Sequence, residues 1–571
     1  MKVKRMWKGV LLGLAGLVGV GGWAPSAHAA QCADLNNDGK ITIADAVRLI
    51  QAVGVGSNPA DCSGAGSLSC GDLDANGSLG VSDVVILLAT LTNNPTLFPL
   101  CQGPGNAVAC VGGKATISGH VTTTQRWTTA CPVYIDGLVF VDSGVTVTID
   151  PGETVVGKDP PTPGLGGPKN VSALIFLRGS KINAQGTKTQ PIVMTSQDHF
   201  ESNNGGPGNW GGLSICGNAP VNCPGGECAA EGLQGVPLGG NNPNDSSGVL
   251  EFVRVEFSGK ELSPDNELNI ITHNAVGRGT IEDHVQGNVG FDDCLEWFGG
   301  TVDGKFMVSS GCGDDLFDTQ LGTQGRFQYY LGIYYNPTMQ NLGNNGMEWD
   351  DNENGFDLLP RNHPKACNVT LIGTRNQTNT RGENTEQATL LRRGTAGDIM
   401  NTIWEHFRNL GLGLNDNATA AQACLNATTP AGNLNISHSL LFDNGGDSSG
   451  ADPAKQVGGS IASPCNPGQF YSIITAGGTV APAASNQLGP DPQTPLVYGL
   501  GLPTSQTDLN QFIPAGPSPG VANEPLVNNL AGDCKTIDSS FFDTTNYVGA
   551  FRPGDPASNW LSSPWIDFHL N

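Results

Sequence analysis

Basic residues are few in this chain: 28 Lys and Arg stand against 52 Asp and Glu in 571 residues, a formal net charge of -24. That balance excludes nucleic acid and anionic membrane as electrostatic partners and makes cations the natural counterpart. Aromatic side chains make up only 6% and charged ones 14%, while Gly reaches 80. Such a composition points away from helical bundles and toward a turn-rich, mainly β body. After Trp23 no apolar run is long enough to cross a bilayer. C-x-x-C, C-x-x-C-H and H-E-x-x-H are all missing, which removes a thioredoxin-type centre, covalent haem and the helical zinc-protease site.

The first residues do contain Lys2, Lys4, Arg5 and Lys8, an apolar run from Val10 to Trp23 and the small-residue stretch PSAHAAQ. These are the three parts of a secretory leader. Residues 1–29 therefore read as a signal peptide cut near Ala29 or Ala30, and Ala30-Gln31 before Cys32 is not the context of a lipid-anchored cysteine. A secreted, extracellular or cell-surface location without membrane insertion is expected. In that compartment the 15 cysteines read as disulfides with one left over.

Two stretches then say the same thing twice, CADLNNDGKITIADAVRLI from Cys32 and CGDLDANGSLGVSDVVILL from Cys70. In the first, Asp34, Asn36, Asp38, Thr42 and Asp45 hold the first, third, fifth, ninth and twelfth places, with Gly39 at the sixth and the Lys40 carbonyl at the seventh. That is the order in which a calcium loop delivers its oxygens. The second copy supplies Asp72, Asp74, Asn76, Gly77, the Ser78 carbonyl and Asp83, with Gly80 leaving the ninth place to water. Each loop runs into a short apolar helix in which Val47, Leu49 and Ile50 match Val85, Leu87 and Leu88. Helices so short need a packing partner. Cys32 and Cys62 frame one copy, Cys70 and Cys101 the other, and pairing within or across copies is open.

On these residues the pair resembles a type I dockerin. The resemblance implies two bound Ca2+ ions and a cohesin-like module on a scaffold or surface protein as partner. It also implies contact through loop positions ten and eleven, here Ile43-Ala44 and Val81-Ser82. The copies lie further apart than in that family and the framing cysteines are an addition. A calcium-stapled spacer that binds nothing is the alternative.

Beyond Cys101 the texture changes to short β-branched runs broken by Gly, Pro or Asn, such as GLVFVDSGVTVTIDPGETVVG, ALIFLRGSKINAQG and QPIVMTSQ. From about Val139 to Ser196 they resemble the opening coils of exported bacterial right-handed β-helices. NWGGLSICGNA, LEFVRVEFSG, LEWFGGTVDGKFMV and the terminal YVGAFRPGDPASNW look like phrases of the same group. The resemblance implies a fold and no activity.

Between Gly279 and Gly322 the chain writes two rows of 22 residues without a gap, GTIEDHVQGNVGFDDCLEWFGG over TVDGKFMVSSGCGDDLFDTQLG, a period suited to a solenoid. Asp292 stands over Asp314, Asp293 over Asp315, Leu295 over Phe317 and Glu296 over Asp318. Like charges stacked this way resist joint ionisation unless a cation or a proton intervenes. Strand alternation puts Asp292, Glu296, Asp314 and Asp318 on an outward face, opposite Asp293, Leu295, Asp315 and Phe317. A third acidic phrase, GMEWDDNENGFD, adds Glu348, Asp350, Asp351 and Glu353 in a register that an insertion obscures.

Three readings of this face are open: further calcium sites, a solvated acidic surface, or the acid and nucleophile of a polysaccharide lyase or glycoside hydrolase centred on Asp292 and Asp314. FDDCLEW resembles the Asp-Asp pair of pectin-hydrolysing β-helices, whose Asn-Thr-Asp, Gly-His-Gly and Arg-Ile-Lys partners are missing here. A lyase would need a base, for which Lys305, Arg326 and Arg254 are the candidates. Trp297 and Trp349 read either as a sugar platform or as buried coil-stacking residues. Gly446 to Gly450 matches G-x-S-x-G without the helix that a nucleophile elbow requires. His273, His284 and His406 are isolated. Cys223 and Cys228 bracket a loop, and Cys534 is placed to tie down a tail rich in Ala, Pro, Gly and Asn.

The organisation that results is a dockerin-like domain over 30–102, a mainly β, right-handed parallel β-helix over 103–477, and an irregular capping segment over 478–571. If the loops bind calcium, a chelator should lower the helical circular dichroism of the full chain, calcium should restore it, and an immobilised cohesin should capture only the calcium-loaded form. Helicity indifferent to the chelator would count against the loops.

Overall fold

The computed structural model describes residues 43–55, 84, 87–88, 106–158, 171–233, 235–263, 266–334, 345–373, 386–446, 452–475, 487–488, 509–513 and 531–568. The chain divides into two compact units, Met1–Pro104 and Gly105–Asn571. In the first, the helix Ile43–Val55 carries Asp45 in its first turn. Asp45, Ala46 and Leu49 are buried and Ile43 is exposed, an apolar stripe at helical spacing. Residues 84, 87 and 88 are also helical, with Leu87 fully buried. The loop oxygens expected at Asp34, Asn36, Asp38, Lys40, Thr42, Asp72, Asp74, Asn76, Ser78 and Asp83 lie outside the described residues. So do Val81, Ser82, the side chain of Ala44 and the four framing cysteines.

In the second unit 26 strands join in one hydrogen-bonded sheet wound as a parallel β-helix. One ladder runs through Thr146–Ile149, Lys181–Gln185 and the first halves of the long strands Gly248–Ser258 and Ile281–Gly290. A second runs through Thr154–Gly157, Ile192–Ser196 and the second halves of the same long strands. The third stacks Ala173–Phe176, Leu213–Cys216, Ile271–Asn274, Leu295–Phe298 and Phe317–Gln320.

Each long strand serves two ladders because one residue in it turns left-handed: Phe252, His284, Phe306, Tyr329, Asn368 and Asn401, at φ of 49, 56, 56, 62, 58 and 52°. That conformation costs a non-glycine residue roughly 1 kcal/mol or more, and ladder bonds on both sides hold it. The aromatic members then stack, Phe252 on His284 at 4.3 Å, His284 on Phe306 at 4.6 Å and Phe306 on Tyr329 at 4.7 Å.

The lumen is filled by the inward residues of all three ladders. Trp127, Trp210, Trp297, Trp349 and Trp404 are fully buried, so Trp297 and Trp349 stack coils and offer no sugar platform. An ionisable pair also lies in the lumen. His273 Nε2 lies 2.9 Å from Glu282 Oε1, both side chains fully buried, and the His273 ring stacks on Trp297 at 4.7 Å.

Composition reads the tail from 478 on as loops or an end cap; Gln487–Leu488 pairs with Leu440–Leu441 at the end of the second ladder, and the described part from 509 on lies along the flank of that ladder. Leu509, Phe512, Phe551, Leu561, Trp565 and Phe568 cluster with Phe257, Val289, Val308, Leu331, Ile333 and Ile372. Coil amides grip the tail backbone at two points each. The Gln286 side chain donates to the Asp567 carbonyl at 2.7 Å and accepts from its N–H at 3.1 Å. Gln328 does the same with Asp543 at 3.2 and 2.8 Å, and Asn401 with Gly532 at 2.8 and 2.9 Å. The Cys367–Cys534 disulfide fastens the same segment. Cys110–Cys131, Cys223–Cys228, Cys294–Cys312 and Cys424–Cys465 close shorter loops, and Cys216 is the free, buried cysteine of the described residues.

Removing one member of the lumen pair strands the other in a dry core. Glu282→Leu is expected to lower stability by about 3 kcal/mol, and adding His273→Phe should recover most of it. Chemical unfolding of the two variants measures the difference.

Candidate functional site

On the third ladder Leu295–Phe298 pairs in parallel with Phe317–Gln320, Leu295 opposite Phe317 and Glu296 opposite Asp318. This is the register written by the 22-residue repeat. The next coil, Asn345–Asp350, sets Glu348 opposite Asp318, and the one after, Gln387–Arg392, sets Leu390 opposite Glu348 and Arg392 opposite Asp350. Leu295, Trp297 and Phe317 point into the lumen core, so Glu296, Asp318 and Glu348 form a column on the other side of the sheet. The insertion that hides this third row from sequence is the run of residues before Asn345.

In the turn that precedes each strand a second column does structural work. The Asp293 N–H donates to Asn269 Oδ1 at 3.2 Å, the Asp315 N–H to Asp293 Oδ1 at 2.7 Å and the Asn345 N–H to Asp315 Oδ1 at 2.6 Å. Each side chain caps the backbone of the following coil. Two expectations fail here. Asp293 and Asp315 do not face away from the others, because they sit in turns where strand alternation does not apply. One carboxylate oxygen of Asp293 lies within 4.8 Å of oxygens of Glu296 and Asp318.

Nor is the column a solvated surface: Glu296, Asp318 and Glu348 are 3%, 7% and 5% exposed, with Asp292 and Asp314 half-buried. Beside it an inserted segment around Val221, Leu233 and Leu238 and the hairpin strands Lys260–Ser263 and Asn266–Leu268 pack on Phe298. Glu231 of that insert hydrogen-bonds Glu296 and Asn269.

The electrostatics follow from burial. Burial first, then Glu231 and Asp318, pushes the Glu296 carboxyl well above the usual range. Burial, then Glu348 and Asp350, does the same to Asp318. Asp293 and Asp315 are raised in the same way, burial again leading. Glu348 is pushed up to about 8 by burial and Asp350, with Arg392 opposing, and Glu231 to about 7 by burial and Glu267. Compensation is confined to one end. Arg392 pairs with Glu348 and, at 2.9 Å, with Asp350, and Arg393 reaches Asp350 at 2.7 Å. Burial works against the Arg392 charge, yet Glu348 and Asp350 hold it above its ordinary value.

Asp292, Asp293 and Asp314, then Asp293, Glu296 and Asp318, then Asp315, Asp318 and Glu348 form three overlapping carboxylate triads, each with oxygens within 4.8 Å of one another. Asp318 Oδ1 and Asn345 Oδ1 are buried without a hydrogen-bond partner among the described residues. A donor set made wholly of hard oxygens fits calcium. It is a poor match to zinc, which favours nitrogen and sulfur.

The suggested bases are elsewhere. Lys305 pairs with Asp543 at 2.9 Å, Arg326 with Asp303 and with Asp538 at 3.1 Å, and Arg254 with Glu256 at 2.7 Å. These contacts tie down the tail or the second ladder. Asp351 is committed to Asn222 at 2.8 Å and to the Asn362 N–H at 2.7 Å, and Glu353 is largely exposed. Sequence reasoning missed Glu231, Asn269, Asn345, Arg392 and Arg393. Of these, Arg392 was within reach, by writing GMEWDD over ATLLRR.

A family model described as a pectate-lyase like beta helix domain matches residues 119–454. The match takes in more than half of the chain, and the chain belongs to that family. No curated protein and no solved structure matches it.

A carboxyl whose affinity for protons rises on folding adds stability below its unfolded value and loses it as pH climbs through the folded one. With Glu348 moved from 4.5 to about 8, the metal-free protein should lose thermal stability between those pH values. Glu348→Gln should flatten that slope and stabilise the metal-free protein at pH 8 by roughly 1–2 kcal/mol. Melting curves across the range, with chelator, decide it.

Proposed function

We propose that this member of the pectate-lyase-like β-helix family is a polysaccharide-active enzyme whose working centre is the column Glu296, Asp318 and Glu348. The observation that carries the reading is the overlap of three carboxylate triads, two of them wholly buried, whose only described counter-charges, Arg392 and Arg393, lie at one end. Asp293 and Asp315 each spend one oxygen on backbone capping, the Asn269 and Gln320 amides donate to Glu296 and the Asn345 amide to Glu348, and Asp318 Oδ1, without a partner among the described residues, would with Glu296 and Glu348 hold a divalent cation. Calcium, when bound, supplies positive charge that neutralises the column and draws in an acidic sugar.

Arg392 and Arg393, at the end of the column, would be the groups to pair with a sugar carboxylate. Burial favours this reading over a retaining hydrolase. A hydrolase needs both of its carboxyls at the sugar ring, whereas Glu296 and Asp318 are almost wholly covered.

The amino-terminal unit, on this proposal, is the dockerin-type plug that its duplicated loops describe, binding two calcium ions and a cohesin-like partner on a scaffold or surface protein. The buried Asp45 at the start of Ile43–Val55 supports it, since a carboxylate at the twelfth loop place must turn inward to reach a metal. Five disulfides among the described residues suit an oxidising, extracytoplasmic location. No helix among the described residues is long and apolar enough to cross a membrane.

The test is a panel of acidic and neutral polysaccharides incubated with the full chain, with calcium or chelator. A lyase yields the ultraviolet absorbance of an unsaturated sugar, a hydrolase only new reducing ends. Asp318→Asn and Glu348→Gln are expected to lose at least ~100-fold in rate while remaining folded. Turnover of no glycan, or full activity in both variants, would overturn the assignment.

A further inference from the structure

A second opening lies away from the carboxylate column, on the outer side of the second ladder several coils nearer the amino end. It is a cleft of about 550 Å³ between the strands Thr154–Gly157, Ile192–Ser196 and Gly248–Ser258 and the corner helix Gln197–Ser202. Its volume is in the range of small-ligand sites, about 300–1,000 Å³. Ser196 accepts from the His199 N–H at 3.1 Å and starts the helix, and the left-handed Asn203, at φ 52°, ends it. The helix carries His199, Phe200 and Glu201 to the rim.

Phe200 is 44% exposed although it lines this cleft. Tyr134 fixes it from one side, edge-on at 6.3 Å, while the Tyr134 hydroxyl donates to Glu201 at 2.9 Å. An aromatic face is thus held open to solvent beside a carboxylate acceptor. The Thr195 hydroxyl in the same wall is buried, 2% exposed, and has no hydrogen-bond partner among the described residues. A buried polar group left without a partner costs free energy that a bound hydroxyl or amide would return.

The charges of the floor cancel locally. Arg254 Nε donates to Glu256 at 2.7 Å, and the same guanidinium holds the Pro564 and Trp565 carbonyls of the tail at 2.9 and 3.1 Å. The His199 ring stacks on Phe257 at 4.4 Å and presents its edge to the cleft. Among the lining residues the cation, Arg254, is already paired, and Lys114, over the Tyr134 ring at 4.9 Å, faces Glu201, so an acidic sugar is not favoured here, and a wholly apolar ligand would strand the Thr195 and Asn203 polar groups. One aromatic platform ringed by hydroxyl, amide, imidazole and carboxylate groups suits a ring with an apolar face and a polar edge.

From this juxtaposition we propose that the cleft is a binding subsite for a neutral saccharide, with Phe200 as the stacking platform and Thr195, Glu201 and Asn203 as hydroxyl partners. It is independent of the carboxylate column and needs no metal.

The test is calorimetry and saturation-transfer NMR on the full chain with cellohexaose, xylohexaose and hexagalacturonate, all in chelator. Saturable binding of a neutral hexasaccharide is expected, weakened at least ~10-fold by Phe200→Ala, weakened also by Thr195→Val, and unchanged by Asp318→Asn. Circular dichroism checks that each variant is folded. The proposal is overturned by no neutral hexasaccharide bound by the unaltered chain, by equal affinity in Phe200→Ala, or by tighter binding of hexagalacturonate that Phe200→Ala abolishes. Loss of binding in Asp318→Asn alone would move the sugar to the carboxylate column and equally sink the subsite. Because cleavage is not the readout, failure of the enzymatic assignment leaves this test intact.

Discussion

Parallel strands of successive coils lie about 4.8 Å apart, and most of this structure answers to that spacing. A residue at a given place in one coil sits against its counterpart in the next, so the coil repeats its chemistry upon itself. Where the counterparts are Phe252, His284, Phe306 and Tyr329 the result is a stacked ring column at the bend between two ladders. Where they are Glu296, Asp318 and Glu348 it is a column of like charge. The same hydrogen bonds enforce both. Stacking lowers the free energy of the first column. The second is tolerable only with protons, arginines or a metal to offset it.

Covering decides how severe that repulsion becomes. On the second ladder the carboxy-terminal tail is gripped by Gln286, Gln328 and Asn401 and seals an apolar flank. On the third, an insert pinched by Cys223–Cys228 and a short hairpin pack around Phe298, and Glu231 of that insert bonds to Glu296. In a low-dielectric setting each carboxylate is strongly coupled to its neighbours, so a divalent ion has more to gain there than on an open acidic face. The cleft at Phe200 is the converse case, a stretch of outer face that no described residue of insert or tail closes and whose Arg254 is already paired with Glu256.

Within the column the residues have divided their tasks by local geometry. Asp293 and Asp315, in turns, spend an oxygen on the backbone of the next coil. Glu296, Asp318 and Glu348, on strands, have no backbone N–H to serve, and Asp318 keeps an oxygen without a partner among the described residues. Arg392 and Arg393 close one end. Structural capping therefore falls to the turn residues, and any binding chemistry, on the proposed reading, to the strand residues.

Much of this was legible before any coordinates. Composition and short Gly-broken runs specify a mainly β solenoid because strands and tight turns have local signatures, and the two 22-residue rows fix the pairing of Glu296 with Asp318 because a repeat without a gap is a register. The Cys223–Cys228 pinch is equally local. Two things needed the folded chain. One was the row at Glu348 and Arg392, displaced in sequence by the inserted residues before Asn345 and restored to register only by hydrogen bonding. The other was burial: alternation tells which side of a strand Glu296 occupies, and only the long-range packing of the insert near Glu231 tells that this side is dry. Local pattern determined the coil and its contents; tertiary packing decided their solvation, because solvation depends on segments remote in sequence that no coil specifies.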